Sequence, residues 1–131
     1  MHIVLLYAGI LTLFFVGLSV RTLRMRRRLR IAVGDGGNEA MLRAMRVHSN
    51  FAEYVPLSLL LIYFVEATGA SPLLVHVLGA CVVVGRISHA FGVSQVKENY
   101  AFRVFGMAMT FTPLIVAAVR LLYVFAYPSG A

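Results

Sequence analysis

An all-α membrane protein of four packed helices is the fold class that this sequence predicts, on three observations. The composition is 60% hydrophobic, with a mean hydropathy of +0.85. Four runs carry no Asp, Glu, Lys or Arg: residues 1–20, 54–65, 67–85 and 104–119. A helix that crosses the hydrocarbon needs about 20 residues, so a chain of 131 holds four spans and short connectors with no room for a second domain.

The first span is expected over residues 2–21. No basic residue precedes its apolar run, and six arginines follow in RTLRMRRRLR, residues 21–30. That order is the order of a retained signal-anchor rather than a cleaved signal peptide. By the positive-inside rule the first connector, residues 22–42, is cytoplasmic and both termini lie outside the cytoplasm. Within this connector GDGG, residues 34–37, reads as a turn ahead of a helix cap at Asn38. It lacks the strand, lysine and hydroxyl of a P-loop.

The second span is expected over 43–67, and ATGASP at 67–72 is too short for anything but a tight turn. The third span follows over 72–93. A polar connector, GVSQVKENYAF, has room for a short helix and carries Lys97 and Arg103, which place it on the cytoplasmic side. The fourth span covers 101–125. Pro56 and Pro113 are expected to kink their helices and free the carbonyls of Ala52 and Met109.

The net charge of +7 does not read as nucleic-acid binding. An arginine run abutting a span is a topogenic signal that lies against anionic head groups. Cys81 stands alone in an apolar run, without a partner for a disulfide or a metal site, and is expected to be a small buried packing residue. His76 is expected to be a satisfied packing histidine. Glu66 and Arg120, both toward the outer surface, are expected to form an ion pair or to be solvated.

The chemistry concentrates in RAMRVHSNFAEYVPL, residues 43–57. At 100° per residue Arg43, Arg46, Asn50 and Glu53 fall within an arc of about 80°. Glu53 then sits about 15 Å along the axis from Arg43, deep for a carboxylate. Arg86 and His89 share a face near the cytoplasmic end of the third span, and Arg103 opens the fourth. Charged groups at membrane depth cost roughly 2.5–3.5 kcal/mol each at a helix centre, so they face a protein interior or a wet cavity. They could pair with Glu53 and staple the bundle, with Arg43 and Arg103 snorkelling. Five basic or potentially basic groups against Glu53 favour an anionic guest instead, and guanidinium forks suit carboxylates.

Four short spans, RAMRVHSNFAEYVPL in the second, VGRISHAFG in the third and FRVFGM opening the fourth together resemble the MAPEG superfamily, the membrane-associated proteins of eicosanoid and glutathione metabolism. The resemblance covers nearly the whole chain and is nearest to the bacterial branch of small inner-membrane proteins. It implies a homotrimer of four-helix subunits in the inner membrane, with glutathione as co-substrate bound near the cytoplasmic face between neighbours. It also implies a lipophilic small-molecule substrate. Arg46, Asn50 and Glu53 would hold polar groups of the tripeptide, Glu53 its α-ammonium, with Arg86 and His89 contributing from the third span. Arg43 is a further candidate. Arg103 matches the arginine near the glutathione sulfur in the family's enzymes, and a glutathione-dependent transferase or peroxidase is the activity implied.

The chain departs from that pattern at the reactive end. Ser49 stands where the prostaglandin synthase relatives have another arginine, Val93 and Met107 where they carry tyrosines, and Val104 where a serine lies beside the catalytic arginine. Tyr100 is a candidate for the missing hydroxyl. These departures keep open a non-catalytic protein that retains the fold for binding glutathione or another anion, or for assembly. Intramembrane charge alone also admits a channel or transporter subunit, which ion flux would distinguish.

Overall fold

The structure is a computed structural model that describes residues 2–95 and 99–127. Its elements are four helices: α1 (Val4–Leu29), α2 (Glu39–Ala67), α3 (Pro72–Ser94) and α4 (Tyr100–Ala126). All four are long and apolar enough to cross a membrane. Lys97 and the middle of the third connector lie outside the described residues.

Two boundaries differ from expectation, for one reason. An apolar run measures the thickness of the hydrocarbon, whereas a helix ends where its backbone is capped. Thus α1 continues through the arginines, which are good helix formers, to Leu29. Arg26, Arg27 and Arg28 occupy its last turn, where the macrodipole favours cations, and Arg30 closes it in the left-handed conformation. At the next start the Asn38 side chain accepts the Met41 N–H, as expected of a cap, so α2 begins at Glu39 rather than at 43. The turn between them bends through Gly34, Gly36 and Gly37, all at positive φ.

Ser71 caps α3 through Leu74 N–H, and Asn99 caps α4 through Ala101 N–H. Both α2 and α4 run on through Pro56 and Pro113.

Polar contacts pin α1 to its neighbours along its length. The Glu66 carboxylate, on α2, accepts the backbone N–H groups of Ile3 and Val4 and so caps the start of α1. The Tyr7 hydroxyl bonds His76 Nδ1 at 2.9 Å, which satisfies that histidine. Ser19 and His48 Nε2 meet at 2.9 Å, with the His48 ring stacked on Phe15. Of the ion pair or solvation expected at Glu66 and Arg120, Glu66 has this cap and lies 4.0 Å from His2 Nδ1, while Arg120 Nε is buried without a hydrogen-bond partner among the described residues.

The apolar core runs along the axis from Leu11 and Leu18 through Phe51 and Ile62 to Val75, Val82 and Ala117. Large apolar side chains elsewhere point outward, Phe125 at 85% exposure among them. In water such a surface would drive association; in a bilayer it matches its solvent. Cys81 is half-buried rather than buried, and its thiol is free.

The closest packing joins α3 to α4. A methyl group on Gly106 would stand 2.6 Å from His89 N and 2.7 Å from the Gly85 carbonyl oxygen. Only hydrogen at these positions lets the two backbones approach, the usual device of helix pairs in membranes.

Candidate functional site

At the arginine-rich end α2, α3 and α4 diverge around a cleft of about 490 Å³. This lies within the range of about 300–1,000 Å³ usual for small-molecule sites. One stripe of α2 supplies its longest wall, with Arg43, Arg46, Ser49, Asn50 and Glu53. Their spacing of three and four residues brings them onto one face, as the sequence predicts. From α3 come His89 and Val93, and from the first turn of α4 comes Arg103.

Glu39 also lines the cleft. It escaped the sequence reading because α2 was expected to start at 43. The signal was the Asn38 cap, which puts Glu39 in the first turn, four residues before Arg43. The two form an ion pair at 2.8 Å. Arg43 in addition donates from Nη1 to the Val93 carbonyl at 3.4 Å, tying α2 to α3. Glu39 and Glu53 therefore share the cleft lining with Arg43, Arg46 and Arg103, and the excess of positive charge among its described lining residues is smaller than expected.

Arg86 lies elsewhere. Its side chain is 1% exposed and stands behind the cleft wall. Its Nε and Nη2 donate to Thr110 Oγ1 at 3.0 and 2.6 Å, Nη2 also reaches the Gly106 carbonyl at 3.3 Å, and Nη1 donates to Asn50 Oδ1 at 2.5 Å. The Tyr54 ring lies 5.5 Å from the guanidinium carbon, in cation–π range. A guanidinium so enclosed has its donors spent on the protein. Its consequence for the cleft is indirect: with Oδ1 occupied by Arg86, Asn50 presents its NH₂ group as a donor.

His89, 6% exposed, packs beside the Gly85–Gly106 contact with an edge on the cleft. Arg103 is exposed on the first turn of α4, where its charge adds to the positive end of the helix dipole. Tyr100 is 67% exposed and is absent from the cleft lining. Val93 is in the lining, as is Ser49, and no tyrosine is among these residues.

The side chains of Arg46 and Glu53 make no hydrogen bond or ion pair with a described residue, and both residues are exposed. Glu53 lies mid-helix in α2, at a depth where an uncovered carboxylate is expensive. Three guanidiniums, an amide donor and two carboxylates thus converge on one hollow. Such a set suits a zwitterionic guest with more carboxylates than ammonium groups.

The MAPEG family model matches residues 4–127. The inner membrane protein YecN of Escherichia coli strain K12 is 34% identical over 110 residues, which cover 84% of this chain and 82% of YecN. YecN of E. coli O6:H1 aligns with the same identity and coverage. No solved structure matches the chain.

Proposed function

The chain belongs to the MAPEG family, and on that premise we propose that it is an inner-membrane protein that binds glutathione in the cleft between α2, α3 and α4. The observation that carries this reading is the donor set of the cleft. Glutathione at neutral pH has two carboxylates, one ammonium group and two amides, a net charge of −1. Arg46 suits a carboxylate through forked hydrogen bonds, Glu53 suits the ammonium, and the Asn50 amide, turned by Arg86, suits a carbonyl.

The exposure of Glu53 and Arg46 within a span supports a homotrimer, in which a neighbour covers this face of α2. The arginine run sets the orientation, with the cleft toward the cytoplasm and both termini outside.

We assign to Arg103 the role of stabilising the thiolate. Glutathione supplies the thiol, whose pKa is ordinarily about 8.5, and the thiolate is its nucleophilic form. A guanidinium beside the sulfur favours the anion by about 1.4 kcal/mol for each unit by which it lowers the pKa. The partner would be a lipophilic electrophile that arrives through the bilayer, as expected of a transferase or peroxidase. Purified protein in detergent is expected to turn over such an electrophile only with glutathione. Arg103→Ala is expected to lower kcat by about a hundredfold, within the range of loss when one transition-state charge stabiliser is removed. Unchanged turnover in that variant would remove Arg103 from the chemistry.

One observation favours a second reading, a protein that binds glutathione without reacting it. Val93, not tyrosine, lines the cleft, and Tyr100 is exposed and absent from its lining. Thermal stabilisation by glutathione with no conjugation of any electrophile would support this form.

A further inference from the structure

A second cavity, of about 740 Å³, runs along α1 and shares no lining residue with the cleft. Gly17, Val20, Arg21, Arg24, Arg28 and Leu29 form most of its wall. Gly17, Arg21, Arg24 and Arg28 recur at spacings of three and four, so they make one stripe about 16 Å long. Its chemistry changes along the axis: guanidiniums at the membrane boundary, then Gly17 and Val20 toward the middle of the span. A methyl group on Gly17 would meet nothing within 4 Å, so the glycine leaves a recess.

The arginines of the run are not equivalent. Arg26 is spent on the Gly34 carbonyl at 2.9 Å and on Met45. Arg27 and Arg30 line a separate depression with Leu23. Arg21 is held in place by donating to Ser94 Oγ at 2.7 Å. Arg24 and Arg28 have no hydrogen bond or ion pair with a described residue. A charge run that served topology alone would need neither this sorting nor an apolar recess beneath one part of it.

We infer that this groove holds a single anionic phospholipid of the adjacent leaflet, its phosphate on Arg21, Arg24 and Arg28 and one acyl chain over Gly17 and Val20. A free anion would use only the charged half of the groove. A zwitterionic lipid carries an ammonium that offsets its phosphate. Basic pockets among spans on the arginine-rich side are suited to anionic head groups, at about 1 kcal/mol for each arginine near the surface.

The test is made on the full protein in detergent micelles containing phosphatidylglycerol or phosphatidylcholine, or phosphatidylcholine with inorganic phosphate. Melting temperature and the number of lipids retained in native mass spectrometry are read. Phosphatidylglycerol alone is expected to raise the melting temperature and to be retained at one molecule per subunit. The double variant Arg24→Gln/Arg28→Gln is expected to bind it about thirtyfold more weakly. Gly17→Leu, which fills the recess and leaves the charge unchanged, is expected to lower the retention of phosphatidylglycerol as well. Arg27→Gln/Arg30→Gln is expected to keep it. Equal stabilisation by phosphatidylcholine or by inorganic phosphate would overturn the inference, as would an equal loss in the Arg27/Arg30 pair. Should a variant fail to fold, the wild-type lipid count decides: retention of phosphatidylglycerol no better than phosphatidylcholine contradicts a specific site.

Discussion

Arg86 and Arg46 sit on adjacent helices on either side of one cleft wall, yet they live in opposite conditions. Arg86 is 1% exposed and surrounded by Thr110, Asn50 and the Gly106 carbonyl. Arg46 lines the hollow, and its side chain makes no hydrogen bond to a described residue. The comparison teaches that a cation near a membrane site can serve either the fold or the guest. What the protein has already given it as acceptors decides which.

The largest expected effect breaks the buried side. Arg86→Leu removes the donors to Thr110 and Asn50 and leaves the Asn50 carbonyl turned toward an apolar side chain. A loss of about 3 kcal/mol is expected, since stranding buried polar partners costs about 1–3 kcal/mol each. Thermal or denaturant unfolding in detergent measures it, and glutathione binding is expected to fall as well, because the Asn50 amide is no longer oriented. Arg86→Leu with wild-type stability would place this arginine on the guest's side of the comparison.

Next in size is Gly106→Ala, which disturbs the same wall from behind. The added methyl meets His89 N at 2.6 Å and the Gly85 oxygen at 2.7 Å, both backbone atoms that yield only if the helices part. Overpacking of this kind costs about 1–3 kcal/mol. A shift in melting temperature is expected, with a secondary loss of glutathione affinity as α3 and α4 separate.

The smallest effect on stability is expected at Arg46. Arg46→Ala should leave the melting temperature of the ligand-free protein unchanged, as surface substitutions generally do. Its glutathione affinity should fall by about tenfold, in keeping with one lost charge-assisted hydrogen bond. Calorimetric titration beside a melting curve separates the two readouts. A destabilised protein with unaltered affinity would reverse the assignment of roles.

The contrast also marks what the sequence could reveal. The helical phase of Arg43, Arg46, Asn50 and Glu53 was legible, because side chains three and four apart must share a face whatever surrounds them. His89 and Arg103 reached the same hollow because their spans end at the same depth. The spent condition of Arg86 was not legible, for its acceptors at Gly106 and Thr110 lie 20 and 24 residues away, and a motif records a cation without recording its partners. Glu39 was missed because the apolar run marks the membrane and not the helix start. The role of Glu66 as a cap for α1 depends on a long-range meeting of chain ends, which local pattern does not encode.

The departures expected from the family's enzymes at Val93, Met107 and Val104 lie on α3 and α4, and on the α2 stripe Ser49 departs while Arg46, Asn50 and Glu53 line the cleft. Catalysis in this cleft requires that glutathione bind there first. The most direct measurement is calorimetric titration of glutathione into the purified protein in detergent, wild type beside Glu53→Ala. Saturable binding of one glutathione per subunit, weakened about tenfold or more by loss of the ammonium's carboxylate partner, is the result expected. Absence of binding to the wild type, or equal affinity in Glu53→Ala, would contradict the assignment of this cleft to glutathione.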